Sequence, residues 1–238
     1  MAKEGKRIIS AREKVEKGRA YDPAAAVSLV KEAATAKFDE TVELHLRTGL
    51  DGRHADQQIR GTVVLPHGLG KNMRVVVFAE GEAASLAMQA GADEVGGDEL
   101  IERVAGGYTA FDVALAQRDL MGKVGRLGRV LGPRGLMPNP RSSTVVETQD
   151  MARAVREAKA GRVEFRLDRT NLVHVPIGKA SFSQETLLDN LTALVSEIVK
   201  ARPSAAKGQY IKGATLTSTM GPGVPVEVAP MLALSTEA

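Results

Sequence analysis

The 238-residue sequence predicts an α/β protein of two domains, one inserted into the other. Three observations carry this. Both flanks alternate apolar and polar residues, the period of antiparallel strands, and each adds one amphipathic helix. The middle alternates short apolar runs with single helical stretches, the pattern of a parallel sheet covered by helices. The texture changes at two glycine-bearing points, Pro66-His67-Gly68-Leu69-Gly70 and Gly161. The expected division is a discontinuous α+β domain with antiparallel strands, 1–67 with 162–238, around a Rossmann-like three-layer α/β domain, 68–161. Small residues at both crossings leave room for hinge motion.

The elements follow in order. Asp22-Pro23 opens a helix that runs toward Lys37, with Asp as cap and Pro at the first position. Thr41 to Arg47 alternates, with Val42, Leu44 and Leu46 on one side. Residues 48–61 are polar and turn-rich, and 62–65 reads as a strand. Arg74 to Phe78 reads as a strand buried on both faces. Helices at 82–90, 98–105, 119–130 and 149–159 then alternate with strands at 92–95, 111–116 and 144–147. Beyond Gly161, alternating stretches 162–167 and 172–177 flank Asp168-Arg169-Thr170-Asn171. That predicts a hairpin with Asn171 left-handed. Ser181-x-x-Gln184 reads as a capping box. The helix it opens has a stripe of Leu187, Leu188, Leu191, Leu194, Val195, Ile198 and Val199, and Pro203 stops it. A last strand covers roughly 209–219, and the tail from Ala229 to Ala238 is expected to fray.

Composition narrows the function. Hydrophobic residues are 43% and charged residues 26%, which excludes a largely disordered chain. No apolar run is long enough for a bilayer, and the first residues lack the apolar stretch of a secretory signal. The expectation is a cytoplasmic protein without a membrane partner. Zero cysteines exclude disulfides, Cys-ligated zinc, iron–sulfur clusters and thiol catalysis. His45, His54, His67 and His174 show no metal-helix spacing, and no Gly-x-Ser-x-Gly elbow is present. No carboxylate stands isolated in an apolar run. No catalytic residue, metal or cofactor is assigned.

The net charge is only +3, but its distribution is uneven. Residues 1–20 carry +4, 66–116 carry −5, 117–169 carry +6, and 170–238 balance. Separated patches suit a polyanion touched by some surfaces and not by others. Eight aromatic residues are too few for a sheet that stacks bases on paired rings. Any nucleic-acid contact must therefore use shape, hydroxyls and backbone.

Two stretches fit such contact. Gly122 to Gly135 is glycine-rich and holds Lys123, Arg126, Arg129 and Arg134, a composition suited to phosphates. It matches neither the dinucleotide fingerprint nor the P-loop. The strand faces opposite the core carry Thr41, Glu43, His45 and Arg47; Glu164 and Arg166; His174; and Thr215, Thr217 and Thr219. Hydroxyls and carboxylates serve ribose and base edges, and Arg and Lys serve phosphates. In Thr217-Ser218-Thr219-Met220-Gly221-Pro222-Gly223, the glycines allow close backbone approach and Met220 offers a soft contact.

These residues resemble the family of bacterial large-subunit ribosomal proteins "L one", the protein of the mobile stalk beside the tRNA exit site. The matching stretches are Lys37-Phe38-Asp39-Glu40-Thr41-Val42-Glu43-Leu44, Arg60-Gly61-Thr62-Val63, Leu65-Pro66-His67-Gly68 and Gly91-Ala92-Asp93. They continue with the run from Arg129 to Pro140, Ile177-Gly178-Lys179, and Thr217 to Pro222. They stand in family order and cover nearly the whole chain. The resemblance implies that the discontinuous domain grips large-subunit rRNA through Phe38, Thr41, Thr217, Thr219, Met220 and Gly221, with Lys37, Arg166 and His174 as further contacts. It implies contact with deacylated exit-site tRNA, assigned here to Lys123, Arg126, Arg129 and Arg134. It also implies repression of the protein's own operon messenger, and a chain that is monomeric when free of the ribosome. Gly52, His54 and Arg141-Ser142-Ser143 depart from the family pattern. The competing reading is a nucleotide-dependent enzyme built on the inserted α/β layer.

Overall fold

The computed structural model of the chain describes residues 5–235. Lys3, counted in the basic N-terminal stretch, and residues 236–238 of the expected tail lie outside them. In chain order the first segment holds α1 (Lys6–Glu13), α2 (Pro23–Ala33), β1 (Thr41–Thr48) and β2 (Arg60–Val64). The middle holds β3 (Val75–Phe78), α3 (Gly81–Gln89), β4 (Glu94–Gly96), α4 (Asp98–Ala105) and β5 (Val113–Gln117). It continues with α5 (Met121–Val124), α6 (Gly128–Leu131), β6 (Val145–Val146) and α7 (Met151–Lys159). The last segment holds β7 (Arg162–Arg166), β8 (Leu172–Lys179), α8 (Gln184–Lys200), β9 (Ile211–Ser218), β10 (Val224–Val226) and α9 (Val228–Leu234).

Two compact units result. One runs to Gly70 and resumes at Val163, and the other spans Lys71–Arg162. The first crossing falls three residues after the expected 67/68 division, for a physical reason. The buried amide of Asn190 on α8 donates to the Gly68 carbonyl (3.0 Å) and to that of Ile177 (2.8 Å), and accepts from the His67 N–H (3.1 Å). Leu69 packs against the same core. One buried polar side chain thus fixes the Pro66–Gly68 turn by satisfying its backbone groups.

The first unit is built on a sheet of order β10-β9-β1-β8. Val42, Leu44 and Leu46 face inward with Val173, Val175, Ile177, Ala214 and Leu216. Leu187, Leu191, Leu194, Val195 and Ile198 of α8 close the core, as their helical spacing predicts. A separate pair, β2 with β7, adds Val63 and Phe165.

The inserted unit is a parallel sheet of order β4-β3-β5-β6. Successive residues of β3 point to opposite faces. Val76 and Phe78 join Leu100, Ile101 and Val104 of α4. Val75 and Val77 join Ala83 and Ala87 of α3 and Met151, Val155 and Ala158 of α7. This is the expected three-layer α/β arrangement.

Several expectations are corrected. The predicted hairpin 162–177 is a single bridge, Leu167 with Val173; β7 and β8 diverge into different sheets. Asn171 is left-handed as expected, at φ 67°. The cap of α8 is Ser183, whose hydroxyl accepts from the Thr186 N–H (3.1 Å). Ser181 instead donates to Asp39 (2.8 Å). The predicted helix 119–130 is a chain of single turns, α at Met121–Val124 and Gly128–Leu131 and 3-10 between and before them. Glycines at 122, 125 and 128 deny it the propensity of a continuous helix. The expected frayed tail is ordered through α9, because Met231 is buried in the core of the first unit.

Candidate nucleic-acid interface

The open face of the four-stranded sheet follows from the register. Antiparallel pairing aligns Glu43 with Thr217 and Pro176, His45 with Thr215 and His174, and Arg47 with Gly213 and Leu172. Each row faces away from the core because its neighbours along β1 are buried. At the end where β1 begins, β8 and β9 both finish, so Thr41, Lys179 and Ser218 meet there.

That end is tied together by hydrogen bonds. The Thr41 N–H donates to Thr219 Oγ1 (2.9 Å), and the Thr219 N–H donates to the Thr41 carbonyl (3.0 Å). Lys179 Nζ donates to Thr41 Oγ1 (2.9 Å). Thr217 Oγ1 donates within its own loop, to the Ser218 carbonyl (3.1 Å). The Gly221 N–H closes the turn on the Ser218 carbonyl (3.1 Å). A Cβ on Gly221 would stand 2.4 Å from Ser218 Oγ, so any side chain there forces Ser218 to shift. Phe38 and Met220, neighbours of this polar group in the chain, are 55% and 48% exposed.

Beneath the surface lies Glu40, only 1% exposed. Its carboxylate accepts from the Ala36 N–H (2.8 Å), the Met220 N–H (2.9 Å) and Ser218 Oγ (2.8 Å). Burial pushes its pKa up, but these donors, with Arg7 at 4.0 Å, outweigh burial and hold it below the usual carboxylate value. Sequence reading passed over Glu40 because it is not isolated in an apolar run. The usable signal was phase: Glu40 stands two residues before Val42, on the inward side of β1. Ser218 and Lys179, also missed as site residues, are the terminal residues of β9 and β8.

The other predicted residues scatter. Lys37 is exposed in the loop before β1. His174 lies two rows down the open face, its Nδ1 2.7 Å from Nδ1 of His45. Burial, then the neighbouring His174, hold His45 below the usual histidine pKa, against the opposing pull of Glu43. Arg166 is on β7, outside the four-stranded sheet, beside Asp168 and Arg169 in a surface hollow. Glu164, expected on the same face, is likewise on β7 and pairs with Arg60 at 2.5 Å.

In the inserted unit, Val124, Leu127 and Leu131 turn inward, and Arg126, Arg129 and Arg134 remain exposed. Lys123 is exposed but engaged, 2.7 Å from Asp98 and 3.9 Å from Glu80. Arg134 donates to Thr109. A hollow along β4 is lined by Glu80, Asp93, Glu94, Asp98 and Glu99, with Arg103 among them. Its excess of carboxylates disfavours a phosphate-bearing ligand there. Among the described residues, no group of three or more His, Asp or Glu side chains is placed to hold a metal ion. No helix there is long and apolar enough to cross a membrane.

A model of the ribosomal protein L1p/L10e family matches residues 30–222. A large ribosomal subunit protein uL1 from Chloroflexus aggregans is 58% identical over 229 residues, 96% of this chain and 97% of that protein. One from Chloroflexus aurantiacus is 57% identical over 95% of this chain and 96% of its own length. One from Clavibacter michiganensis is 58% identical over 92% and 95%.

Proposed function

Because this chain belongs to the ribosomal protein L1p/L10e family, we propose that the Glu40-backed end of its four-stranded sheet is the surface that grips large-subunit rRNA. The protein is a structural component of the large ribosomal subunit, found with the ribosome in the cytoplasm, and not an enzyme. The nucleotide-dependent alternative is thereby set aside.

The observation that supports the rRNA-binding surface is the cross-tied Thr41–Thr219 pair, with exposed Phe38 and Met220 near it in the chain. Fixed hydroxyls and backbone groups recognise a folded RNA by shape and by its 2′-hydroxyls, and exposed apolar side chains cover unstacked bases. Lys37, Lys179 and His174 border this surface, Thr217 and Gly221 shape its loop, and Arg166 extends contact along β7. We further infer that Lys123, Arg126, Arg129 and Arg134 meet deacylated tRNA leaving the ribosome, with Arg126 and Arg129 offering exposed cations to phosphates and Lys123 doing so only on release from Asp98. The rRNA-binding surface also serves to repress translation of the operon messenger, wherever that messenger repeats the rRNA fold. Free of the ribosome, the chain is a monomer.

The test is binding of the purified protein to a large-subunit rRNA stalk fragment and to an unrelated hairpin, across a salt series. A preference for the rRNA that persists at high salt supports the reading. Equal, salt-sensitive weak binding to both removes it.

A further inference from the structure

We infer that Glu40 is a positioning residue for RNA recognition: its buried, ionised carboxylate holds the 217–221 loop in register with Thr41. The inference rests on the rRNA-binding reading above. Glu40 touches no solvent and so no RNA; it acts through the groups it holds.

The carboxylate joins two segments 178 or more residues apart in the chain. One oxygen, Oε1, accepts from the Ala36 N–H before β1. The other, Oε2, accepts from Ser218 Oγ and the Met220 N–H after β9. Arg7 adds the cation on this site, 4.0 Å from Oε1, and its other nitrogen reaches the Met220 carbonyl at 3.5 Å. The Met220 backbone is therefore held at both its groups, the N–H by Glu40 and the carbonyl by Arg7. Thr219, the residue before it, is then presented to Thr41.

The geometry requires two acceptors and no donor. A carboxylate is acceptor-only when ionised. An amide of the same shape has one acceptor and one NH2. Whichever way it is turned, the NH2 meets a backbone N–H, that of Ala36 or that of Met220, and one part-buried donor loses its partner. Glu40→Gln is therefore an isosteric change with a directed fault. Glu40→Asp keeps the charge but is one methylene too short to span both segments.

Glu40→Gln in the full chain is expected to lose about tenfold in affinity for the rRNA stalk fragment, the scale of one lost hydrogen bond to a charged acceptor. Affinity for the unrelated hairpin, and the salt slope for both RNAs, should not change, because no phosphate contact is removed. The amide resonance of Met220 or of Ala36, whichever faces the NH2, should shift in the folded protein, a local change that a general loss of stability does not produce. Ser218→Ala provides a milder variant, keeping the carboxylate and both backbone donors; about a threefold loss is expected, again for the stalk fragment only.

If wild-type protein shows no preference for the stalk fragment, the rRNA-binding reading falls and this inference falls with it. If wild type shows the preference and folded Glu40→Gln keeps it, this inference alone is overturned. Should Glu40→Gln fail to fold, Ser218→Ala decides: unchanged preference overturns the inference, a selective loss supports it.

Discussion

At the open end of the four-stranded sheet, Thr41, Thr219 and Lys179 are tied to one another above a carboxylate that water does not reach. In the glycine-punctuated turns of the inserted unit, Arg126 and Arg129 stand in solvent, and only the backbone beneath them is anchored, by Val124, Leu127 and Leu131. The first region fixes directions; the second fixes the position of charge. A fixed hydroxyl or amide discriminates among partners, since a misplaced one leaves a group unpaired. A guanidinium on a flexible stem attracts any phosphate, and does so less as salt rises. On the reading proposed above, two modes of RNA contact are separated along the chain: discrimination in the discontinuous unit and salt-dependent attraction in the inserted one.

The contrast breaks first if the basic turns are not anchored. Leu127→Ala should cost about 2–5 kcal/mol of stability, as for a fully packed leucine. Chemical denaturation of the full chain measures this, and a cost under about 1 kcal/mol would mean a loose loop. Next, Gly221→Val drives a side chain into Ser218 and should remove about 1–3 kcal/mol of binding to the rRNA stalk fragment. Titration with an unrelated hairpin should show no matching loss; equal losses would end the assignment of discrimination to this turn. Replacing Arg126 and Arg129 together by Ala should lower the salt slope of deacylated tRNA binding by about one for each phosphate no longer neutralised. An unchanged slope would place the tRNA-binding surface elsewhere.

The smallest expected effect concerns pH. The folded-state pKa of His45 is depressed, by burial first and His174 second. The unfolded chain therefore takes up this proton more readily. The stability contributed by neutral His45 is fully present above the ordinary histidine value near 6.5 and is lost as pH falls through the lower folded value. Calorimetry from about pH 7.5 downward should show a slight fall in Tm in wild type that His45→Gln reduces. An identical fall in both proteins would mean that Glu40, Asp93 and the other depressed carboxylates account for the whole acid response.

Sequence periodicity was a good guide wherever one face is buried. The alternation in Thr41–Arg47 and the stripe from Leu187 to Ile198 both appear in the core of the first unit. It failed where partner choice decides. Nothing in 162–177 distinguishes a hairpin from two strands that leave for different sheets, since both alternate. β10, with Pro225 at its centre, is not read from the sequence; it lies at the end of the sheet order, where the Pro225 carbonyl accepts from the Tyr21 N–H (3.0 Å) and the Glu227 N–H donates to the Tyr21 carbonyl (2.8 Å). In the site, Thr41 and Thr219 were legible as outward positions. Glu40 was not, because its surroundings are assembled from segments distant in sequence, and only its phase with Val42 hinted at burial. Lys123 was read as free charge, but its neutralising partner, Asp98, is 25 residues away.

The strand order also sets a schedule for synthesis. β1 is made early, yet both its neighbours, β8 and β9, are made last. The inserted unit has all its strands by residue 146 and its closing helix by 159, with short loops to close. The Glu40-backed end, proposed above as the rRNA-binding surface, must wait for Thr219 and Met220 to leave the ribosome. Chains halted after residue 205 should therefore carry a folded inserted unit and bind no stalk fragment above background. On the proposed reading, a growing chain can attract phosphates through its inserted unit but cannot discriminate the stalk fold until it is almost finished.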